Sequence, residues 1–213
     1  MKSLKFYFLS LIVALLCGCG GNSNSSNSSN DSNATTSSKV IIAVNTKAGI
    51  GYFVDSEGSF LFGAQFDSVK RFSDGLAAVK QNGKWGGINT QGKMVVPCIY
   101  DEVIPFFDGL AAVKQNGKWG FINTQGEMVV PCIYGYAHPF FEGLAEVEQN
   151  GKCGYINTQG EVVVPCIYDN SSSFSDGLAR VQQNGKCSII NTVGEVIVAE
   201  CVYNTTYWSK VDL

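Results

Sequence analysis

The chain is poor in the residues on which most chemistry depends. One histidine, His138, stands among 213 residues, and it has no serine, cysteine or carboxylate motif beside it. A lone imidazole of that kind is expected to be a surface residue rather than a general base. No Cys-x-x-Cys pair occurs, and no cysteine spacing with histidine suits zinc. Phosphate-cradling glycine loops and the strained serine turn of hydrolases are also missing. Charged residues are only 15% of the chain and the net charge is −3, so there is no basic footprint for nucleic acid. No window keeps a helical period, and glycine closes each hydrophobic run within about eight residues. The expectation is an all-β, non-enzymatic protein without cofactor or metal.

At the N-terminus, Lys2 and Lys5 precede an apolar run from Phe6 to Leu16 that only Ser10 interrupts. The run is too short for the roughly 20 residues of a spanning helix but suits the core of a signal peptide. It ends Leu16-Cys17-Gly18-Cys19, which resembles a bacterial lipobox with its aliphatic residue at −3 and small residue at −1. Cys17 fits less well, because Leu16 would stand at −1. The resemblance implies cleavage after residue 18, diacylglyceryl transfer to Cys19 and a further acyl chain, such as palmitate, on the new amine. Several chains together anchor stably where one is marginal. Residues 20–38 are almost entirely Asn, Ser, Gly and Thr and cannot bury apolar surface, so 19–38 reads as a lipidated cysteine with a disordered tether. Such a tether has an r.m.s. reach of about 25 Å. The expected location is the cell envelope, outside the cytoplasm, and the outer membrane if the cell is Gram-negative.

Residues 39–213 are dominated by repetition. Residues 75–108 and 109–142 match at 27 of 34 positions without a gap, and 143–176 and 177–213 continue the series. A weaker copy precedes them, giving about five units of 34 residues. A fixed period of this size signals a repeat architecture. The recurring order is Gly-Leu-Ala-x-Val, Asn-Gly-Lys-Trp-Gly, Ile-Asn-x-x-Gly and Val-x-Pro, with the central triplet intact at Lys84-Trp85-Gly86 and Lys118-Trp119-Gly120. It resembles the bacterial WG-repeat (KWG) family. The resemblance implies a tandem all-β array, often extracytoplasmic, and carries no settled chemistry. Cys153 and Cys187 replace the tryptophan in later units, and Ser188 replaces the glycine.

Local signals agree. Asn116-Gly117 between Leu110–Val113 and Trp119–Ile122 predicts a two-residue hairpin. Asn123-Thr124-Gln125-Gly126 predicts a type I turn closed by a left-handed glycine, since Gln resists positive φ. A third strand, Met128–Val130, should stop at Pro131, and Tyr134–Phe141 must run back as a short fourth strand or crossover. The divergent terminal units favour an open, superhelical β-array over a five-bladed propeller-like ring.

Within this framework most recurring residues read as structure. Trp85 and Trp119 are expected in the core with glycine making room beside them. Asp74, Asp108, Glu142 and Asp176 precede turn glycines, and one carboxylate per unit is too thin for calcium. Cys153–Cys166 and Cys187–Cys201 lie on adjacent strands; a two-residue loop would align the first pair, whereas a glycine-bulge turn sets Cys153 against Pro165. One segment varies: Asp101–Ile104 becomes Gly135–His138 and then Asp169–Ser172. A fixed framework with one variable stretch is how repeat proteins place binding residues on one face, although weak packing constraint would give the same variation. The candidate contact residues are Asp101, Glu102, Tyr136, His138, Asp169 and Asn170, with a protein or envelope glycan as the expected partner besides the membrane. A structural spacer without a specific ligand is the alternative.

Overall fold

The computed structural model describes residues 40–200. The expected signal peptide and tether, with Cys19, and also Cys201 lie outside them. Nineteen strands form five antiparallel sheets, met in chain order. Sheet 1 holds β1 (Ile41–Asn45), β2 (Gly51–Asp55) and β3 (Phe60–Phe66). Sheet 2 holds β4 (Ser68–Ser73), β5 (Leu76–Gln81), β6 (Lys84–Asn89) and β7 (Met94–Tyr100). Sheet 3 repeats this with β8 (Glu102–Phe107), β9 (Leu110–Gln115), β10 (Lys118–Asn123) and β11 (Met128–Tyr134). Sheet 4 follows with β12 (Tyr136–Ala137), β13 (Leu144–Gln149), β14 (Lys152–Asn157) and β15 (Val162–Tyr168). Sheet 5 closes with β16 (Asn170–Ser171), β17 (Leu178–Gln183), β18 (Lys186–Asn191) and β19 (Val196–Ala199). Each four-stranded sheet is a meander.

The turns follow from their residues. Asn116 (φ 51°) and Gly117 (φ 78°) both take positive φ, and Gln115 pairs with Lys118, so the hairpin has two residues in a mirror-image turn. Asp74, Asp108, Glu142 and Asp176 also sit at positive φ before their glycines, which makes them the first central residue of an equivalent turn. In the longer turn Gly126 alone has positive φ (82°), while the Asn123 side chain accepts N–H bonds from Gln125 and Glu127.

The run back becomes a strand, but it joins the next sheet. β8 pairs with β9, so the tail of each sequence unit supplies the edge strand of the sheet that follows. Successive sheets are also tied across the gap. Asp74 Oδ2 accepts the N–H of Gly109 at 3.0 Å, and Glu142 accepts those of Asp176 and Gly177 at 2.8 and 2.9 Å.

Four apolar clusters fill the four gaps between consecutive sheets. Four consecutive residues are buried in each of β5, β9 and β13, because neighbours cover both faces. β17 is fully buried only at alternate residues, Ala179 and Val181, and β19 is exposed throughout. Val198 is 45% exposed where its counterpart Val164 is 2% exposed. Among the described residues no cluster joins the fifth sheet to the first, so the stack is open.

Trp119 is buried, as expected, but its glycine serves another purpose. A Cβ on Gly120 would meet the Val130 carbonyl at 2.4 Å, in the same sheet, where a bulge brings β11 against β10. The bulge also revises the cysteine register. Cys153 pairs with Tyr168, not with Pro165 or Cys166, and Cys98, Cys132, Cys153, Cys166 and Cys187 are all free thiols. Cys98, Cys132 and Cys166 each direct their S–H to a first-hairpin carbonyl 19 residues back at 3.8–3.9 Å.

Candidate functional site

The variable segments occupy one edge of successive sheets, as β8, β12 and β16 and the turns that lead into them. The local chemistry differs from sheet to sheet.

In sheet 3, Asp101 receives the Lys84 ammonium and the Asn116 N–H, the latter at 3.0 Å. The ammonium hydrogen bond holds this carboxyl below the usual carboxylate range. Asp169 has the same pair of partners in sheet 5, Lys152 and the Asn184 N–H, and its carboxyl is lowered for the same reason. Asp67 plays the corresponding part for the Gly83 N–H in sheet 2. These aspartates fasten each edge to the Asn-Gly turn of its own sheet. Glu102 pairs with Lys114 at 2.6 Å, and that ammonium also lies 5.5 Å from the Trp119 ring centre. Asn170, exposed on β16, opposes Gln182.

Sheet 4 departs from this plan. Gly135 stands where the aspartate would, and the space its Cβ would take lies 2.8 Å from Glu148 Oε1. Glu148 now caps the turn by accepting the Gly151 N–H at 3.2 Å. Beside it the Tyr136 hydroxyl lies 3.1 Å from His138 Nε2, with the two rings edge to face at 5.0 Å. The same nitrogen is 3.9 Å from Glu146 Oε2, an ion pair only when the imidazole is protonated. Glu146 is the single buried charged residue among those described, 7% exposed, and its other oxygen accepts the Ser171 hydroxyl at 2.7 Å. Tyr136, His138, Glu146 and Ser171 thus form one polar chain linking the edges of sheets 4 and 5.

The order of that chain matters. The Ser171 hydroxyl donates to the carboxylate and has no imidazole as its base, so the group does not reproduce the serine–histidine–acid relay of hydrolases. It offers instead an exposed phenol and a half-buried imidazole on a fixed carboxylate. Glu146 was not among the residues singled out from the sequence. Its signal was there: the position is Ala78 and Ala112 in the two preceding units and Arg180 in the next. The structure unites Tyr136 and His138 but leaves Asp101 and Glu102 in sheet 3 and Asp169 and Asn170 in sheet 5 as separate groups. Beyond them, Phe107 and Phe141 form an exposed aromatic pair 6.0 Å apart on the rim, while Phe106 and Phe140 turn into the core.

The family model described as "WG containing repeat" matches four consecutive stretches, 53–85, 85–119, 119–153 and 154–187. The chain belongs to the WG-repeat family. No curated protein matches the sequence. Among solved structures it is similar to KlHsv2 with loop 6CD replaced by a Gly-Ser linker, at 9% identity and TM-score 0.45 over 73% of this chain and 60% of that one. Kluyveromyces lactis Hsv2 with complete loop 6CD gives 9% and 0.42 over 70% and 56%. A Bacteroides caccae protein of unknown function gives 14% and 0.31 over 74% and 80%. The WG-repeat chain spans less than two thirds of the length of the Hsv2 chains.

Proposed function

We infer that this WG-repeat protein is a non-enzymatic binding scaffold, held at the cell envelope by acyl chains on Cys19. It engages a protein or an envelope polymer through the edge strands of its sheets. The supporting observation is the contrast between two neighbouring edges. Residues 75–108 and 109–142 match at 27 of 34 positions, yet within them Asp101–Ile104 presents carboxylates paired with lysine while Gly135–His138 presents a phenol and an imidazole. A uniform framework with one chemically distinct stretch per unit is suited to reading a partner along the stack. Aromatic and imidazole groups with one wet end are common anchors at such surfaces.

The test is exchange of residues 135–138 for the sequence of 101–104, followed by pull-down from envelope extract. Capture is expected to change, and the double variant Tyr136→Ala, His138→Ala, which leaves the buried Ala137 in place and sets no carboxylate against Glu148, should change it likewise with stability within about 1 kcal/mol of the parent. Unchanged capture, or none by either form, would favour a spacer.

A further inference from the structure

Glu146 is a buried carboxylate without a permanent counter-ion. It is 7% exposed, and no lysine or arginine among the described residues pairs with it. The ionisable groups around it are His138 on β12, Glu148 on its own strand, and Cys153 and Tyr155 on β14. Burial pushes the Cys153 thiol and the Tyr155 phenol up, which keeps both neutral, and Glu148 adds a second carboxylate. Taking such a group out of water is costly unless a cation or hydrogen bonds replace its hydration.

The two carboxylate oxygens differ. Oε1 accepts the Ser171 hydroxyl at 2.7 Å. Oε2 accepts no hydrogen bond from a described residue, since His138 Nε2 at 3.9 Å is too distant for one. Among the described residues no fully buried side-chain oxygen is left without a partner, so Oε2 reaches solvent. Tyr136, 43% exposed, and the half-buried His138 stand on that side of it. The two preceding units hold Ala78 and Ala112 at this position and the next holds Arg180, so among these units the opening belongs to sheet 4 alone.

We propose that Tyr136, His138 and Glu146 form a seat for one primary ammonium group, the side chain of a lysine on a partner protein. The inference rests on the binding-scaffold reading and gives the chemistry that the sheet 4 edge recognises. Tyr136 Oη, His138 Nε2 and Glu146 Oε2 follow one another at 3.1 and 3.9 Å. With the imidazole proton on Nδ1 and the phenol proton turned to solvent, all three accept, and an ammonium carries three donors. A nitrogen about 2.8 Å from both Nε2 and Oε2 sees them about 90° apart, which bent hydrogen bonds tolerate. It supplies the positive charge that Glu146 lacks, and the Tyr136 ring adds cation–π attraction. A lysine suits the recess because its charge stands at the tip of a slender stem. A planar guanidinium or a ring-borne amine is too broad for so deeply set a carboxylate.

His138 is the only histidine of the chain, so its ring-proton signals report on the seat directly. The experiment follows them by NMR at pH 8 while the protein is titrated with Nα-acetyl-lysine amide, with the same compound trimethylated on Nζ, and with glucosamine. The lysine compound should shift the signals saturably with a Kd of about 1–10 mM, ordinary for one ion-paired side chain. The trimethylated form keeps the charge but has no N–H, and it should bind about fivefold more weakly, as should glucosamine. Glu146→Gln should weaken lysine binding by about tenfold or more. Glu146→Ala, which restores the residue of the two preceding units, is the second variant should the glutamine form fold poorly. No saturable shift with the lysine compound, or undiminished binding by both variants, would overturn the seat. Equal binding of the trimethylated compound would overturn the hydrogen-bonded ammonium, and equal binding of glucosamine the lysine assignment. Partner capture plays no part in the titration. A failed pull-down beside intact lysine binding therefore counts against the scaffold reading alone, and capture without lysine binding counts against the seat alone.

Discussion

Replacing Gly120 with alanine adds a single methyl group, and the structure makes the consequence calculable. The new Cβ would lie 2.4 Å from the Val130 carbonyl oxygen and 2.8 Å from the Cys132 nitrogen and Pro131 carbonyl carbon. All three are backbone atoms, so no side chain can swing aside. Relief needs β11 to move by about 1 Å, since relaxed carbon contacts fall near 3.5 Å. β11 is held on one side by β10 and packed through Val130, 2% exposed, into the gap with sheet 4. Overpacking of this kind costs about 1–3 kcal/mol, and a backbone obstacle places Gly120→Ala near the upper end. A shift of about 6–12 °C follows for a domain of this size. The chain contains its own control. Ser188 takes this position in sheet 5, and there the strands pair regularly through Ser188–Ala199 and Ile189–Val198, without the first register shift seen in sheets 2–4. A side chain at this site thus coexists with a different register. Thermal and urea unfolding of Gly120→Ala beside Gly87→Ala, whose Cβ has room, is the measurement. A Gly120→Ala midpoint within about 0.5 kcal/mol of the parent would refute the reasoning.

Trp119→Ala should cost about 3–5 kcal/mol, because the indole is buried in the cluster between sheets 3 and 4; an unchanged denaturation midpoint would mean a solvent-exposed ring. Burial raises the proton affinity of Tyr100, Tyr134 and Tyr155 and of the Cys98, Cys132 and Cys166 thiols. Folded groups then keep protons that the unfolded chain releases, so stability should be full at neutral pH and fall as pH rises above about 9, as pH-dependent urea unfolding would show. The same burial should make these thiols react with a disulfide reagent at pH 8 far more slowly in the folded than in the urea-unfolded protein. Cys19→Ser should release the protein from the membrane fraction, and inhibition of the lipoprotein signal peptidase should accumulate a longer precursor; membrane retention with no change in size would refute lipidation.

Much of the fold could be read from the chain because its signals are local. Asn116-Gly117 and Asn123–Gly126 specify their turns through residues that tolerate positive φ, and the structure uses both as expected. What local reading missed was register. Two extra residues in β11 near Pro131 move the pairing so that Trp119 opposes Tyr134, and the equivalent shift separates Cys153 from Cys166. A bulge is a property of two strands together, and neither strand declares it alone. The same holds for the last strand of each unit. Its sequence gives its extended form, but only packing decides that β8 joins β9 rather than closing onto β5.

The site was legible in proportion to how far each residue acts through its own segment. Tyr136 and His138 lie two apart on one edge and meet directly, so a search for variable positions finds them. Glu146 and Ser171 are 25 residues apart and belong to different sheets, and their contact exists only because sheet 5 lies against sheet 4. A carboxylate at a position that holds alanine in the two preceding units is nevertheless a signal, since a buried charge needs compensation from something outside its strand. Gly87 is the opposite case. Among 34 aligned positions it looks like one more turn-rich glycine, yet its counterparts Phe53, Phe121 and Tyr155 are fully buried. Beside Gly87 the packing closes most of the space that a ring would take, with Val96 carbons 3.4 Å from where a Cβ would stand. In a repeat protein, therefore, each unit serves as the reference structure for the others. A residue that breaks the series by becoming charged, as Glu146 does, marks a place where a partner group from the next sheet has been recruited.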